Sequence, residues 1–222
     1  VLQNTVESPV SPPPADPLQA AACVLRRTGL EDYDTVWQRM RGFTAGRDAD
    51  SKDEIWLLQH PPVYTLGLAG RDEHGPRTHN GIPLVRTDRG GQITYHGPGQ
   101  WIAYTLLDLR RRKLGIRPLV RKLENAVIAL LAGYGISACG RADAPGVYVG
   151  DAKIAALGLR VRNGCCYHGL SLNVDMDLTP FQVIDPCGYA GLRTTQLRDL
   201  GITDTFEQVG DHLTDCLLNE LA

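Results

Sequence analysis

Apolar positions recur along this chain with two different periods. In LEDYDTVWQRMRGF, Tyr33, Val36, Trp37 and Met40 fall at helical spacing, so the segment reads as an amphipathic helix. A second helix is expected to open at Pro118, a favoured first-turn residue. Leu119, Val120, Leu123, Val127, Leu130, Leu131 and Tyr134 would form its buried face, with Gly135 ending it. A third starts near Asp204, with Glu207 three residues on as a capping box and Phe206, Val209, Leu213, Cys216 and Leu217 as its stripe. Elsewhere the runs are short and read as strands: AACVLRRTG, EIWLLQH, VYTLGL, and two or three within IPLVRTDRGGQITYHGPGQWIAYTLLDLR. GVYVGDAKIAALGLRVRNG adds a hairpin turning at Gly150–Asp151, and CCYHGLSLNVDMD a further strand. Hairpins outweigh strand–helix alternation. The expected class is therefore α+β: a single domain with a mixed, largely antiparallel sheet flanked by helices.

Composition narrows the partners. The 222 residues fit one domain, which we place at 18–222. Residues 1–17, proline-rich and without arginine, read as a flexible extension. A net charge of -2 gives no general case for nucleic acid. No apolar run reaches the roughly 20 residues of a membrane span. The N-terminus lacks a signal-peptide pattern and the six cysteines form no CxxC framework, so reduced thiols and a cytoplasmic location are expected. The basic run Arg110–Lys113, followed by Arg117, Arg121 and Lys122, is either solvated surface or a docking site for an acidic protein.

Three places could carry chemistry. Cys187 lies in IDPCGYAG, between a proline and a glycine, which puts a thiol on a turn where a core hydrophobe would not be expected. Lys153 starts a strand whose alternation places it with Ala155, Leu157, Leu159 and Val161, while Arg160 and Arg162 share the other face with Ile154 and Ala156. A lysine on an aliphatic face can act as a base or hold a thiolate; an edge lysine snorkelling to water is the alternative. On the next strand Cys166, His168, Leu170, Leu172 and Val174 read as the core set, and Tyr167, Gly169, Ser171 and Asn173 as the other. In RGGQITYHGPGQ, Gly90 and Gly91 allow close backbone approach to a ligand and Gly97–Pro98–Gly99 a tight turn. That loop lacks the ending of a P-loop, and His96 has no ligand-spaced partner, so no metal is expected. A thiol, a candidate base and a glycine-lined cleft outline covalent acyl transfer.

The segments RGGQITYHGPGQ, GDAKIAALGLRVRNGCCYHGLSLNVDMDL and PFQVIDPCGYAG, in that order, resemble the signature segments of the octanoyltransferases of lipoate biosynthesis. The resemblance runs from about residue 20 to the C-terminus. It implies the fold of the biotin and lipoate protein ligase catalytic domain, and transfer of an octanoyl group from acyl carrier protein to a lysine. The acceptors would be lipoyl domains of 2-oxoacid dehydrogenase E2 subunits and the glycine-cleavage H protein. By the same resemblance Cys187 is the nucleophile that becomes an acyl-thioester and Lys153 its acid–base partner. The substrate pocket would comprise Arg89, Gly90, Gly91, Gln92, Ile93, Thr94, Tyr95 and His96, then Ala156, Leu157 and Gly158, then Gly169, Leu170 and Ser171. No cofactor is implied, and a monomer is expected. The rival readings are an ATP-dependent lipoate or biotin ligase, a non-catalytic carrier-protein binder of the same fold, and a thioesterase.

Overall fold

The computed structural model describes residues 23–71, 75–78, 80–185 and 191–222, so the proposed N-terminal extension lies outside the described residues. Among the described residues, ten strands and three α-helices follow one another as β1 (Cys23–Leu30), α1 (Tyr33–Ala45), β2 (Asp53–Gln59), β3 (Val63–Leu66), β4 (Leu84–Arg86), β5 (Ile93–His96), β6 (Gln100–Asp108), α2 (Ile116–Gly133), β7 (Cys139–Gly140), β8 (Gly146–Val149), β9 (Ala152–Arg162), β10 (Cys165–Asn173) and α3 (Phe206–Leu221). The large sheet runs β1-β2-β6-β10-β9-β8-β7 and the small one β4-β3-β5. Only the β1–β2 and β3–β4 pairs are parallel. The class read from the sequence is the one observed.

Each face of the large sheet buries a different set. Helices α2 and α3 cover one face, where Leu119, Leu123, Val127, Leu213 and Leu217 meet Ala103, Ala155, Leu170 and Leu172. On the other face α1 lays Val36 and Met40 over Trp56, Leu58, Ile102 and Tyr104. The small sheet stands beside α1 on that face with its own cluster of Tyr64, Leu66, Tyr95 and Phe181. The space between the two sheets becomes the site.

Helix ends differ in detail from the sequence reading. Asp32 caps α1, its carboxylate accepting from the Thr35 amide at 2.9 Å. Helix α2 opens at Ile116, so Pro118 sits within the first turn and does not begin it. The capping box of α3 is Thr205 with Gln208, one residue beyond the expected Asp204 and Glu207. A serine, threonine or aspartate at either position fits the same local pattern, and the chain's path into the helix decides between them. Cys139 is exposed on the two-residue strand β7.

Part of the basic run turns inward. Asp53, fully enclosed at the start of β2, accepts from Arg47, from Arg111 at 2.7 Å, from Arg112 at 2.5 Å and from the Asp108 amide at 2.9 Å. Arg112, in the turn after β6, also donates to the Leu221 carbonyl at 2.5 Å, and Lys122 of α2 donates to that of Glu220, so both hold the end of α3. Arg110, Lys113, Arg117 and Arg121 stay exposed. Burial alone would raise the Asp53 pKa, but the Arg112 hydrogen bond, the Asp108 amide and the arginine charges outweigh it and hold the carboxyl below its usual range. Neutralising it leaves buried guanidinium groups without their counter-charge. Asp53→Asn should therefore destabilise the fold by roughly 3–5 kcal/mol, measured by urea denaturation, with the loss concentrated where α3 meets β2.

Candidate active site

The pairing of β8 with β9 changes register between Val147 and Tyr148. Val147 opposes Ala155 and Tyr148 opposes Lys153, which leaves Ile154 as the extra residue of a β-bulge. Ile154 and Ala155 both join the core under the helices. Lys153 is thereby turned to the opposite face, with Tyr148, Ala156 and Gly158. The face assigned to it by simple alternation was wrong, because alternation assumes an unbroken ladder. Lys153 is nonetheless buried, and its Nζ donates to the Pro145 carbonyl at 3.1 Å and lies 5.4 Å from the centre of the Tyr148 ring. The lysine stem crosses Gly146, where a Cβ would come within 2.3 Å of Lys153 Cε. At φ 150° that residue is also in a region that glycine tolerates best.

Lys153 has a third neighbour in the sheet. β10 last pairs with β9 at Leu172–Ala155, and the segment 193–195 takes up the position it vacates. The Lys153 amide donates to the Arg193 carbonyl at 2.8 Å, and the Thr195 amide donates to the Lys153 carbonyl at 2.9 Å. Cys187 itself lies outside the described residues; in sequence it precedes this anchored segment.

Lys153 lines one end of a cleft of about 710 Å³, its open mouth included. Every pocket residue read from the sequence lines it except Gly90 and Tyr95. Tyr95 packs instead against Tyr64 and Phe181 inside the small sheet. The Gly90 amide donates to the Leu159 carbonyl at 2.8 Å and so pins the 89–94 loop to β9. Gly158 permits that approach, since a Cβ there would stand 3.1 Å from both the Gly90 carbonyl and Arg89 Cδ. Arg89 is a staple and not an open cation: its guanidinium donates to the Thr65 carbonyl at 2.6 Å, the Thr65 hydroxyl at 2.8 Å and the Gly90 carbonyl at 2.9 Å. Ile93, Ile102, Ala156 and Phe181 make much of the wall apolar.

The cleft also takes residues that were not singled out from the sequence. Ile102 and Tyr104 come from β6, and Asn173 shares the parity of Gly169 and Ser171, so alternation marked its side. Thr194 carried no signal. His168 departs from the core set to which it was assigned. Its φ of 64° turns the ring to the Tyr167 side, where both rings stack and both reach Asp88. Trp37 Nε1 donates to the same carboxylate at 2.9 Å.

Three histidines are packed around this floor. His60 lies between the Glu31 carbonyl and the Tyr104 hydroxyl, each at 2.7 Å. A carbonyl can only accept, so Nδ1 carries the proton and Nε2 receives from Tyr104. Burial pushes His60 down to about 4 and His96 to about 3, and it also lowers His168 against the pull of Asp88.

The solved structures that the fold resembles include a lipoate-protein ligase A bound with ATP, at 18% identity and TM-score 0.75 over 90% of this chain and 85% of that one. Another is a biotin protein ligase from Aquifex aeolicus, at 12% identity and TM-score 0.54 over 89% and 68%. At such identity the likeness concerns the fold alone. Residues 32–218 match the lipoyl protein ligase A/B catalytic domain, and the chain belongs to that family. Within it the chain is an octanoyltransferase enzyme. It is 65% identical over 193 residues to the octanoyltransferase of Nitrosospira multiformis, covering 87% of this chain and 89% of that one. The octanoyltransferase of Aromatoleum aromaticum is 61% identical over 207 residues, covering 93% and 89%.

The depressed histidines have a consequence for stability. The unfolded chain protonates its histidines near pH 6.5, whereas the folded chain keeps His60 and His96 neutral to about 4 and about 3. Between those limits the unfolded state binds more protons, so stability must fall as pH falls. Thermal unfolding should show Tm declining from about pH 6.5 downward, well above the carboxylate range. Replacing His60 by Gln, which keeps a polar side chain but cannot titrate, should shallow that decline.

Proposed function

We propose that this octanoyltransferase carries the octanoyl group on Cys187 between an acyl carrier protein and a lysine of a lipoyl domain or glycine-cleavage H protein. The observation that carries the reading is the junction of an apolar cleft with a buried ammonium. Lys153 ends a cleft whose walls suit an alkyl chain, and it is hydrogen-bonded to the segment that follows Cys187 in sequence. From Lys153 to Gly158 the strand rises roughly 15 Å, enough for an extended eight-carbon chain to lie along it.

In the first step the Cys187 thiolate attacks the thioester carbonyl of the donor. The carrier's thiol leaves with a proton from the Lys153 ammonium, and an acyl-enzyme thioester remains. In the second step the acceptor lysine attacks as a free amine and gives up a proton to Lys153. The Cys187 thiolate then departs and an amide is formed. A thioester lies above an amide in free energy, so the scheme needs no nucleotide. The rest of the docking surface would include the exposed Arg110, Lys113, Arg117 and Arg121, matched to an acidic carrier. On this reading residues 18–222 are one catalytic domain, acting as a monomer in the cytoplasm. Among the described residues no helix is long and apolar enough to cross a membrane.

Incubation with octanoyl-carrier protein, without acceptor or ATP, should add one octanoyl group that hydroxylamine removes, as read by intact mass. Acylation of Cys187→Ala by the same route, or a strict need for ATP, would overturn the intermediate in favour of ligase chemistry. Lys153→Met keeps the apolar stem without the charge. It should lower acyl transfer near neutral pH by a factor on the order of 10²–10⁴. Raising the pH should recover only part of the rate, since hydroxide restores thiolate but not the proton donor. Near-normal turnover in the folded variant would reduce Lys153 to an edge residue.

A further inference from the structure

A directed chain of hydrogen bonds runs along the cleft wall from Arg89 to Lys153. Arg89 Nε and Nη2 donate to the Thr65 hydroxyl oxygen at 3.2 and 2.8 Å, and that hydroxyl lies 3.4 Å from His96 Nε2. His96 Nδ1 meets Gln100 Oε1 at 2.7 Å, and Gln100 Nε2 meets Asn173 Oδ1 at 2.8 Å. Asn173 Nδ2 reaches the Thr195 carbonyl at 3.0 Å, and the Thr195 amide closes on the Lys153 carbonyl.

Backbone carbonyls fix every polarity in this chain. Gln100 Nε2 also faces the Tyr95 carbonyl at 3.3 Å, which can only accept, so the amide nitrogen must lie there and Oε1 must face His96. His96 Nδ1 is then the protonated nitrogen, leaving Nε2 to accept from Thr65. That hydroxyl is free to donate because Arg89 fills its acceptor side. At the other end the Thr195 carbonyl fixes the Asn173 amide in the same way. Gln100, Asn173 and His96 are all buried, so none of these bonds is readily exchanged with water.

We propose that Gln100 and Asn173, oriented by His96, are positioning residues for the reaction. They hold the 193–195 segment in the place β10 vacates and so fix the backbone of Lys153 without contacting the reacting atoms. Asn173 ends β10, and its own carbonyl accepts from the Leu197 amide at 3.2 Å, so it grips this returning segment at two points. The segment has no helix or long strand of its own to hold it; at Lys153 its pairing is an isolated bridge. Side-chain polarity therefore supplies register that a longer ladder would otherwise supply. This inference rests on the acyl-enzyme reading above for its kinetic consequence.

The test uses Asn173→Leu, which removes both relay bonds, and Asn173→Asp, which keeps the shape but turns the donor into an acceptor facing the Thr195 carbonyl. Where Asn173→Leu does not fold, Gln100→Met breaks the relay one step earlier. The expected result is loss of amide hydrogen-exchange protection at Lys153 and Thr195 with the rest of the sheet protected. Single-turnover octanoylation from octanoyl-carrier protein should fall by roughly 10²-fold, with KM for that donor little changed. Asn173→Asp should regain rate as acid protonates the carboxylate and restores a donor, whereas Asn173→Leu should not. Wild-type rates in folded variants would overturn the proposal, as would a raised KM with unchanged turnover, which marks a substrate contact. Failure of the wild type to form the thioester would instead refute the acyl-enzyme, and the exchange measurement would still judge the anchor.

Discussion

One extra residue in β9 organises the site. Where Ile154 bulges, the ladder to β8 slips by one position and Lys153 rotates from the helix-packed face to the cleft. A lysine on the helix face would have met Leu170, Leu172 and the apolar sides of α2 and α3, with no acceptor for its protons. On the cleft face it finds the Pro145 carbonyl and the Tyr148 ring. The same stretch lies just beyond the end of the β9–β10 pairing, which opens a slot for residues 193–195. One local irregularity thus places the ammonium and the segment beside it.

Around that irregularity the protein buries His60, His96, Gln100 and Asn173, each with hydrogen-bond partners. His60 and His96 are held neutral because burial disfavours their charge, and each ring meets partners of the matching kind. His60 donates to a carbonyl and accepts from a phenol; His96 donates to an amide oxygen and accepts from a hydroxyl. This hydrogen-bonded floor lies beside Lys153 on a wall that also carries Ile93, Ile102 and Phe181. It also couples the small sheet, through Thr65 and His96, to the large one through Gln100 and Asn173. The two walls of the cleft share one hydrogen-bond network.

The basic run shows how one sequence feature can serve two ends. Arg111 and Arg112 turn inward to a single enclosed carboxylate, Asp53, and the latter reaches on to the end of α3. Their neighbours Arg110 and Lys113 remain at the surface. Charge density along the chain cannot separate the two roles, because the partner that draws an arginine inward lies more than fifty residues away in sequence.

Local sequence pattern determined the three helices, nearly all the strands and the α+β class, and the resemblance of three segments to a known family pointed to many of the residues that line the cleft. Those properties depend on short-range periodicity, on turn residues and on motifs that lie within one strand or loop. Gly150–Asp151 turns where it was expected, and the 89–96 stretch and the Gly169–Ser171 strand come to the two walls of one cleft. The tertiary structure alone decided the face of Lys153, the side taken by His168, and the union of Gln100 with Asn173 and Thr195. Alternation counts residues from an assumed unbroken ladder, and a bulge or a left-handed residue resets that count without leaving a mark in the local pattern. Hydrogen bonds between strands far apart in the chain exist only once the sheets have closed around them, so no local reading of the sequence contains them.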